Sequence, residues 1–192
     1  MATSAKVLAP GELRRVQARA SRGRFAHRNK VIIMLSFKAG LRACEIAGLT
    51  WAMVLAADGR IGSSLAIDGL IAKNGRARRV PMHPELKRAL QNLHKVCGHP
   101  VGGPVVRSQR GSHMTPRSVV NWFSELYERV GLAGCSSHSG RRTFITLTAR
   151  MLGRAGGSLR DVQELAGHRS ITTTERYIEG DRDAQRKLVA ML

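Results

Sequence analysis

The sequence is poor in cysteine, aromatic residues and acidic residues, and each shortage excludes a class of protein. The three cysteines, Cys44, Cys97 and Cys135, form no CxxC pair and are too few for a disulfide framework, which favours a reducing compartment. Apolar runs such as Val31–Leu35 are far shorter than the about 20 residues of a membrane-spanning helix. No N-terminal segment has the pattern of a secretory signal. These absences predict a cytoplasmic protein with no membrane partner.

Basic residues are abundant, and they outnumber acidic residues by 32 to 13, for a formal net charge of +19. Arginine supplies 25 of the 32, and its guanidinium group can bind two phosphate oxygens at once. The basic residues run along the whole chain and predict a polyanionic partner, with nucleic acid ahead of an anionic membrane surface. Because aromatic residues make up only 4%, the composition favours duplex DNA held by its backbone over single strands stacked on rings.

The hydrophobic pattern predicts a mainly α domain with one small antiparallel β-hairpin. A length of 192 residues suits one domain. Residues 1–24 are small, polar and basic, and we expect a mobile N-terminal arm there. Helices are expected at about 12–20, 27–39, 42–49, 85–94, 116–130, 140–152, 159–166 and 173–178, with a further helical stretch at 183–192. The hairpin is expected to pair Leu70–Ala72 with Arg78–Val80 around an Asn74-Gly75 tip.

Four short segments carry residues suited to phosphodiester chemistry. They are AGLRACEIAGL (39–49), HSGRRT (138–143), LAGH (165–168) with Tyr177 nine residues after its histidine, and a hairpin lysine, Lys73, eight residues before Pro81. Taken in chain order they resemble the tyrosine recombinase (phage integrase) family, which has an arginine in G-L-R-x-x-E-I-x-x-L, a lysine on a β-hairpin eight residues before a proline, an H-x-x-R box, and L-G-H followed by a tyrosine. The resemblance covers residues 39–177 and implies the catalytic-domain fold of that family.

The residue types fit this chemistry without the family name. Cleavage of a phosphodiester without a metal requires a nucleophile, cations on the non-bridging oxygens and an acid for the leaving oxygen. The candidates are Tyr177 as nucleophile, Arg42 and Arg141 as phosphate clamps, His138 and His168 as hydrogen-bond or proton partners, and Lys73 as the acid. The resemblance implies the same roles, with no metal and no other cofactor.

Each candidate also has an ordinary structural interpretation. Arg42 and Glu45 are spaced for an ion pair on a helix surface, and an isolated tyrosine is usually a half-buried packing residue. Tyr127, the second tyrosine, lies within an apolar helical pattern. The family pattern is not complete, since Gly140 and Arg142 replace a leucine and a histidine of the H-x-L-R-H box. The combination of four motifs favours the catalytic interpretation.

The resemblance implies a domain plan and an activity. The expected plan is an arm at 1–24, a catalytic domain at 25–182 and a tail at 183–192 able to dock on a neighbouring protomer. No separate core-binding domain is expected, as in small fimbrial DNA invertases, although a fragment or degenerate copy of a longer enzyme is an alternative.

The implied activity is site-specific recombination of double-stranded DNA through a 3′-phosphotyrosine, leading to integration, excision or inversion. The active form would be a tetramer on paired sites, with a monomer or dimer when no DNA is bound. An accessory DNA-bending protein and association with a bacterial nucleoid are further expectations. Two alternatives remain: a type IB topoisomerase-like enzyme and a DNA-binding relic without catalysis.

Overall fold

The computed structural model describes residues 5–177 and 189–190, and in this part of the chain it is mainly helical with one two-stranded antiparallel sheet, as predicted. The elements in chain order are α1 (Pro10–Ala20), α2 (Ala26–Lys38), α3 (Ala43–Gly48), β1 (Ser64–Ile67), β2 (Arg78–Pro81), α4 (Pro84–Val96), α5 (Pro116–Arg129), α6 (Ser139–Ala155), α7 (Leu159–Ala166) and α8 (Ile171–Glu175). A 3-10 turn at Trp51–Met53 follows α3. None of the described helices combines the length and the apolar composition that crossing a membrane requires.

Helix α2 lies at the centre of the fold. Every residue from Val31 to Phe37 is buried, and the helix packs against α1, α3, α4 and α6. A helix that is apolar on all sides is stable only when neighbours cover each side, which explains its place. Gly40 follows its C-terminus with φ +64°, and a β-carbon there would overlap the ring of Phe144 in α6. Glycine therefore both turns the chain and lets α6 approach the end of α2.

The N-terminal arm predicted for residues 1–24 is instead packed on the domain where the structure describes it. Leu8, Val16 and Ala20 are buried, and α1 packs against α2 and α5. The amide of Leu8 donates to Thr143 Oγ1 in α6 over 3.0 Å. The expectation of a mobile arm is wrong for residues 5–20, because three apolar residues between the charged ones give this segment a buried face.

The hairpin exists, but its first strand is not the predicted one. β1 pairs Ser64 with Pro81 and Ile67 with Arg78, and residues 68–77, which include Leu70–Ala72, form the connecting loop. Leu65, Ile67 and Val80 are buried, whereas Leu70 is 94% exposed. Burial of alternate residues selects the earlier strand, since successive side chains point to opposite faces. The Asn74-Gly75 turn signal lies within the longer loop, where Gly75 has φ +67°.

The remaining helices begin and end within a few residues of the predicted bounds. Pro84 and Pro116 occupy first-turn positions of α4 and α5, where their fixed φ favours a helix start. The predicted helical tail at 183–192 lies outside the described residues, apart from Val189 and Ala190, and so does Ile178.

Candidate active site

The ends of four helices meet at one cleft of about 340 Å³. The cleft is lined by Ala5, Arg42, Ser136, His138, Arg141, Arg142, His168, Thr173 and Tyr177. The contributing segments are the start of α3, the start of α6, the loop after α7, and α8 with the residues that follow it. Five of the six predicted site residues therefore face one space, although 135 positions separate the first from the last in the chain (177 − 42). The sixth, Lys73, does not line the cleft.

Arg141 lines the cleft and is held in place by two backbone carbonyls. Its guanidinium donates to the carbonyl of Gly40 over 2.6 Å and to that of Ala166 over 2.5 Å, so it joins the end of α2 to the end of α7. Burial and the charge of Arg42 lower the pKa of Arg141 to about 9, which leaves the group charged at neutral pH. Within the described residues no carboxylate forms a salt bridge with it. A buried cation without a paired anion is suited to bind one from solution.

Arg42 is the N-cap residue of α3 and is only partly buried. Its backbone amide donates to Glu45 Oε2 over 2.8 Å, which caps the helix. Its side chain lies farther from the same carboxylate, with Nη1 3.4 Å from Oε1. The guanidinium of Arg42 thus contacts Glu45 and also lines the cleft.

Glu45 is fully buried, and its closest side-chain partner is not Arg42 but Arg78 in β2. Arg78 Nη1 and Nη2 donate to the two carboxylate oxygens over 2.7 and 3.0 Å. Burial alone would raise the pKa of the Glu45 carboxyl, but the hydrogen bonds and charge of Arg78 lower it below its usual range. The alternative interpretation of Arg42 and Glu45 as an ion pair on a helix surface does not hold, because Glu45 is buried and pairs more closely with Arg78. The R-x-x-E spacing indicated Glu45, whereas no local signal indicated Arg78.

His168 is buried, and its ring is held by one hydrogen bond and by stacking on a second ring. Its Nδ1 lies 2.9 Å from Thr174 Oγ1 in a hydrogen bond, and its ring stacks on that of Tyr177 with centroids 5.7 Å apart. Gln163 Nε2 donates to the His168 carbonyl over 3.1 Å. Burial and the charges of Arg141 and Arg42 lower the pKa of His168 to about 4, so the imidazole is neutral at pH 7. The threonine-rich link between His168 and Tyr177 was visible in the sequence, but the contact made by Thr174 was not predicted.

His138 precedes α6 and is more exposed than His168. Its pKa is also lowered, first by burial and then by the charges of Arg141, Lys73 and Arg42. A neutral imidazole at the start of a helix can either donate or accept a proton across the cleft. The two histidines thus provide neutral hydrogen-bonding groups among fixed cations.

Tyr177 is half-buried at the rim of the cleft, shortly after α8. Besides its stacking on His168, its ring lies 5.8 Å from the guanidinium carbon of Arg142. Arg142, which replaces a common histidine of the family pattern, therefore adds a third arginine to the cleft. Tyr127, in contrast, is fully buried in the main core, and burial raises its pKa well above the usual range.

Lys73 lies in the exposed loop between β1 and β2. The next residue, Asn74, donates through Nδ2 to the carbonyl of Gly167 over 3.3 Å, and Gly167 directly precedes His168. The side chain of Ile71 packs where a β-carbon of Gly48 would stand, which holds the loop against α3. The loop thus lies at the edge of the site, and the charge of Lys73 is one of the causes that lower the pKa of His138.

In residues 5–177 no group of three or more His, Cys, Asp or Glu side chains is arranged to hold a metal ion. The polar groups of the cleft are cations, imidazoles, hydroxyls and a phenol. This donor set is suited to an anionic oxygen ligand such as a phosphodiester.

The chain is similar in sequence to curated tyrosine recombinases. The chain is 32% identical to the tyrosine recombinase XerC of Mesorhizobium japonicum over 155 residues, which is 79% of this chain and 46% of the relative. It is 33% identical to XerC of Xylella fastidiosa strain M23 over 159 residues, or 80% of this chain and 49% of the relative. The chain thus spans about half the length of these relatives.

Solved structures share the fold at lower identity. The XerA recombinase superposes with a TM-score of 0.75 at 22% identity, covering 98% of this chain and 66% of that protein. The Tn1549 transposon integrase bound to a circular intermediate DNA gives 0.77 at 20% identity, covering 99% and 67%. The sequence profile of the phage integrase family matches residues 6–183, nearly the whole chain. The chain therefore belongs to the phage integrase family.

Proposed function

We propose that this chain is the catalytic domain of a site-specific DNA recombinase that cleaves and rejoins duplex DNA through a 3′-phosphotyrosine. One observation carries the proposal: a single cleft is lined by Tyr177 together with Arg42, Arg141, His138 and His168. The curated relatives are tyrosine recombinases. Two structures with this fold, the Tn1549 integrase and a lambda integrase dimer on a core site, are complexes with DNA, which supports duplex DNA as the partner.

The proposed reaction begins with the scissile phosphate in the cleft. Arg42 and Arg141 bind its non-bridging oxygens and stabilise the charge that develops there. The phenol oxygen of Tyr177 attacks phosphorus, the bond to the 5′-oxygen breaks, and Lys73 gives that oxygen a proton. The phenol proton passes to His138, His168 or solvent. A 5′-hydroxyl of another strand then attacks the phosphotyrosine and releases Tyr177, so the bond energy is conserved and no cofactor is proposed.

The same proposal includes assembly and location. Paired recombination sites require four cleaving protomers, which predicts a tetramer on DNA and a monomer or dimer without it. Residues 183–192 are proposed to dock on a neighbouring protomer, because Leu188, Val189, Met191 and Leu192 form an apolar end to a charged segment. The net charge of +19 fits a cytoplasmic protein associated with the nucleoid. An accessory DNA-bending protein is a further proposed partner.

The decisive experiment is covalent trapping on a nicked suicide DNA substrate, followed by denaturing gel electrophoresis and peptide mapping. Wild type should give an adduct at Tyr177, and Tyr177→Phe should bind DNA but give none. Tyr127→Phe is the matched control, since the Tyr127 hydroxyl is buried without a hydrogen-bond partner among the described residues, and this variant should retain the adduct.

Three outcomes contradict the proposal in different ways. An adduct that persists in Tyr177→Phe, or that maps to Tyr127 or a serine, refutes Tyr177 as the nucleophile. A wild type that forms no adduct on any cognate site favours the non-catalytic relic. Relaxation of a supercoiled plasmid that lacks a recombination site favours the type IB topoisomerase-like alternative.

A further inference from the structure

We propose that Arg78 is a positioning residue that occupies Glu45 and thereby keeps the guanidinium of Arg42 available to the scissile phosphate. This inference rests on the proposed function and adds a residue that the motifs do not include. Arg78 is on the second hairpin strand, 33 positions after Glu45, and it does not line the cleft that holds Tyr177. It acts on the phosphate through Glu45 and Arg42.

The hydrogen bonds around Glu45 show which arginine it prefers. Oε1 accepts from Arg78 Nη1 at 2.7 Å and only distantly from Arg42 Nη1 at 3.4 Å. Oε2 accepts from Arg78 Nη2 at 3.0 Å and from the backbone amide of Arg42 at 2.8 Å. The parallel bonds from Arg78 form the strong fork of an arginine–carboxylate pair. The Arg42 side chain holds the weakest of the four contacts.

Removal of Arg78 would therefore change the partner of Glu45. The carboxylate is fully buried, with no exposed side-chain surface, so the loss of two donors leaves it short of hydrogen bonds. The nearest cation is Arg42, whose guanidinium would close on Oε1 toward the about 2.7–2.9 Å of a direct charged hydrogen bond. Arg42 would then be drawn away from the phosphate, and its charge would be largely neutralised by Glu45.

Arg78 is itself held in place by α7. Its Nε donates to the carbonyl of Leu165 over 3.2 Å, next to the Ala166 carbonyl that accepts from Arg141. Gly167 has φ +63°, and a β-carbon there would lie 3.1 Å from Arg78 Cδ. The two arginines thus bind successive carbonyls at the end of α7. Arg78 thus donates a hydrogen bond from each of its three nitrogens, which fixes its position between Glu45 and the end of α7.

The test compares Arg78→Met and Arg78→Lys with wild type on the same suicide substrate. Thermal melting and DNA affinity are measured first, and then single-turnover cleavage at saturating DNA. We expect the single-turnover cleavage rate of Arg78→Met to fall by about 10²-fold, which is the effect of misplacing a catalytic group by about 1 Å. Because the DNA is in excess, any loss of DNA affinity does not contribute to this fall. Arg78→Lys keeps the charge but not the two parallel hydrogen bonds, and its cleavage rate should lie between those of wild type and Arg78→Met. Arg79→Met, the adjacent exposed arginine, should cleave within about twofold of wild type.

A second variant separates positioning from simple loss of structure. In Glu45→Gln combined with Arg78→Met the competing carboxylate charge is gone, so cleavage should recover relative to Arg78→Met alone. The inference is overturned if Arg78→Met cleaves saturating DNA at the rate of wild type. The inference is also overturned if the double variant cleaves no faster than Arg78→Met. It is overturned as well if the loss of cleavage rate is explained by the fraction of Arg78→Met that is unfolded.

Two further readouts isolate the inference. Sulfur at the 5′-bridging position leaves without a proton, so rescue of Arg78→Met by a sulfur substrate would assign its effect to the acid rather than to Arg42. If wild type forms no adduct, the proposed function fails, and stabilisation against melting by inorganic phosphate still tests Arg78. Stabilisation should be smaller in Arg78→Met than in Arg79→Met, and equal stabilisation refutes the inference.

Discussion

A β-carbon at Gly140 would overlap the hydroxyl of Ser36, because α6 and α2 cross at these two residues. The same β-carbon would lie 2.9 Å from the ring of Phe37. This close crossing brings Arg141, the next residue of α6, to the carbonyl of Gly40 at the end of α2. Glycine in place of the family's leucine thus has a packing role in this chain, and the position of a catalytic candidate depends on it.

Gly140→Ala is expected to lower the free energy of unfolding by about 1–3 kcal/mol, the usual effect of overpacking a close contact. Gly153, in the same helix, is the matched control, because a β-carbon there would have no other atom within 4 Å. Gly153→Ala should raise stability by about 0.5–1 kcal/mol, because alanine favours a helix interior. Denaturant unfolding measures both. A Gly140→Ala protein at least as stable as wild type would show that the two helices separate at little cost.

DNA binding should weaken steeply with salt. Arginines that line the cleft are expected to bind phosphates, and each contact releases counterions from the duplex. With about 6–10 phosphate contacts, affinity should fall by roughly 10³–10⁵-fold between 50 and 200 mM salt. Fluorescence anisotropy with a labelled duplex measures the slope. A flat response would contradict an interface built on the net charge of +19.

Stability should fall on mild acidification because of His168. Burial and the charges of Arg141 and Arg42 lower its pKa to about 4 in the folded chain, against about 6.5 for a free histidine. Between these values the unfolded chain carries a proton that the folded chain does not, so the free energy of unfolding decreases as the pH falls through this window. The shift of His138 has the same direction.

The measurement is denaturant unfolding at pH 7 and pH 5. His168→Asn retains a group able to hydrogen-bond Thr174 but cannot take up the proton, so its stability should fall less than that of wild type between the two pH values. His27→Asn, at a histidine near the start of α2 and away from the cleft, serves as the control. Equal losses in His168→Asn and wild type would show that another group causes the acid sensitivity.

The sequence predicted the helices well because they depend on short-range patterns, and five of its six candidate residues line one cleft. Proline at helix starts, glycine at ends and fixed motif spacings place Arg42, Arg141 and Tyr177 at element termini that converge. The first hairpin strand was wrong because Asn74-Gly75 marks a turn without showing which residues pair. The contact of Arg78 with Glu45 was not predicted, because it joins residues 33 positions apart, which no local pattern reports.

Lys73 is expected to be the general acid, and the loop that carries it lies next to the cleft. Asn74 donates to the Gly167 carbonyl next to His168, so the loop is tethered at the edge of the cleft, and Lys73, the preceding residue, is exposed. The 5′-alkoxide is a poor leaving group, and loss of its acid should slow cleavage by roughly 10²–10⁴-fold. Lys73→Ala should therefore be slow on normal DNA and close to wild type on DNA with sulfur at the 5′-bridging position.

Single-turnover cleavage of the two substrates measures this effect, with Lys95→Ala as the control at an exposed lysine of α4. The control should cleave both substrates as wild type does. If sulfur does not rescue Lys73→Ala, the lysine is not the acid. Arg76 or Arg78 on the same hairpin would then be tested. Arg76 comes first because it is exposed, whereas all three nitrogens of Arg78 already donate to Glu45 or Leu165.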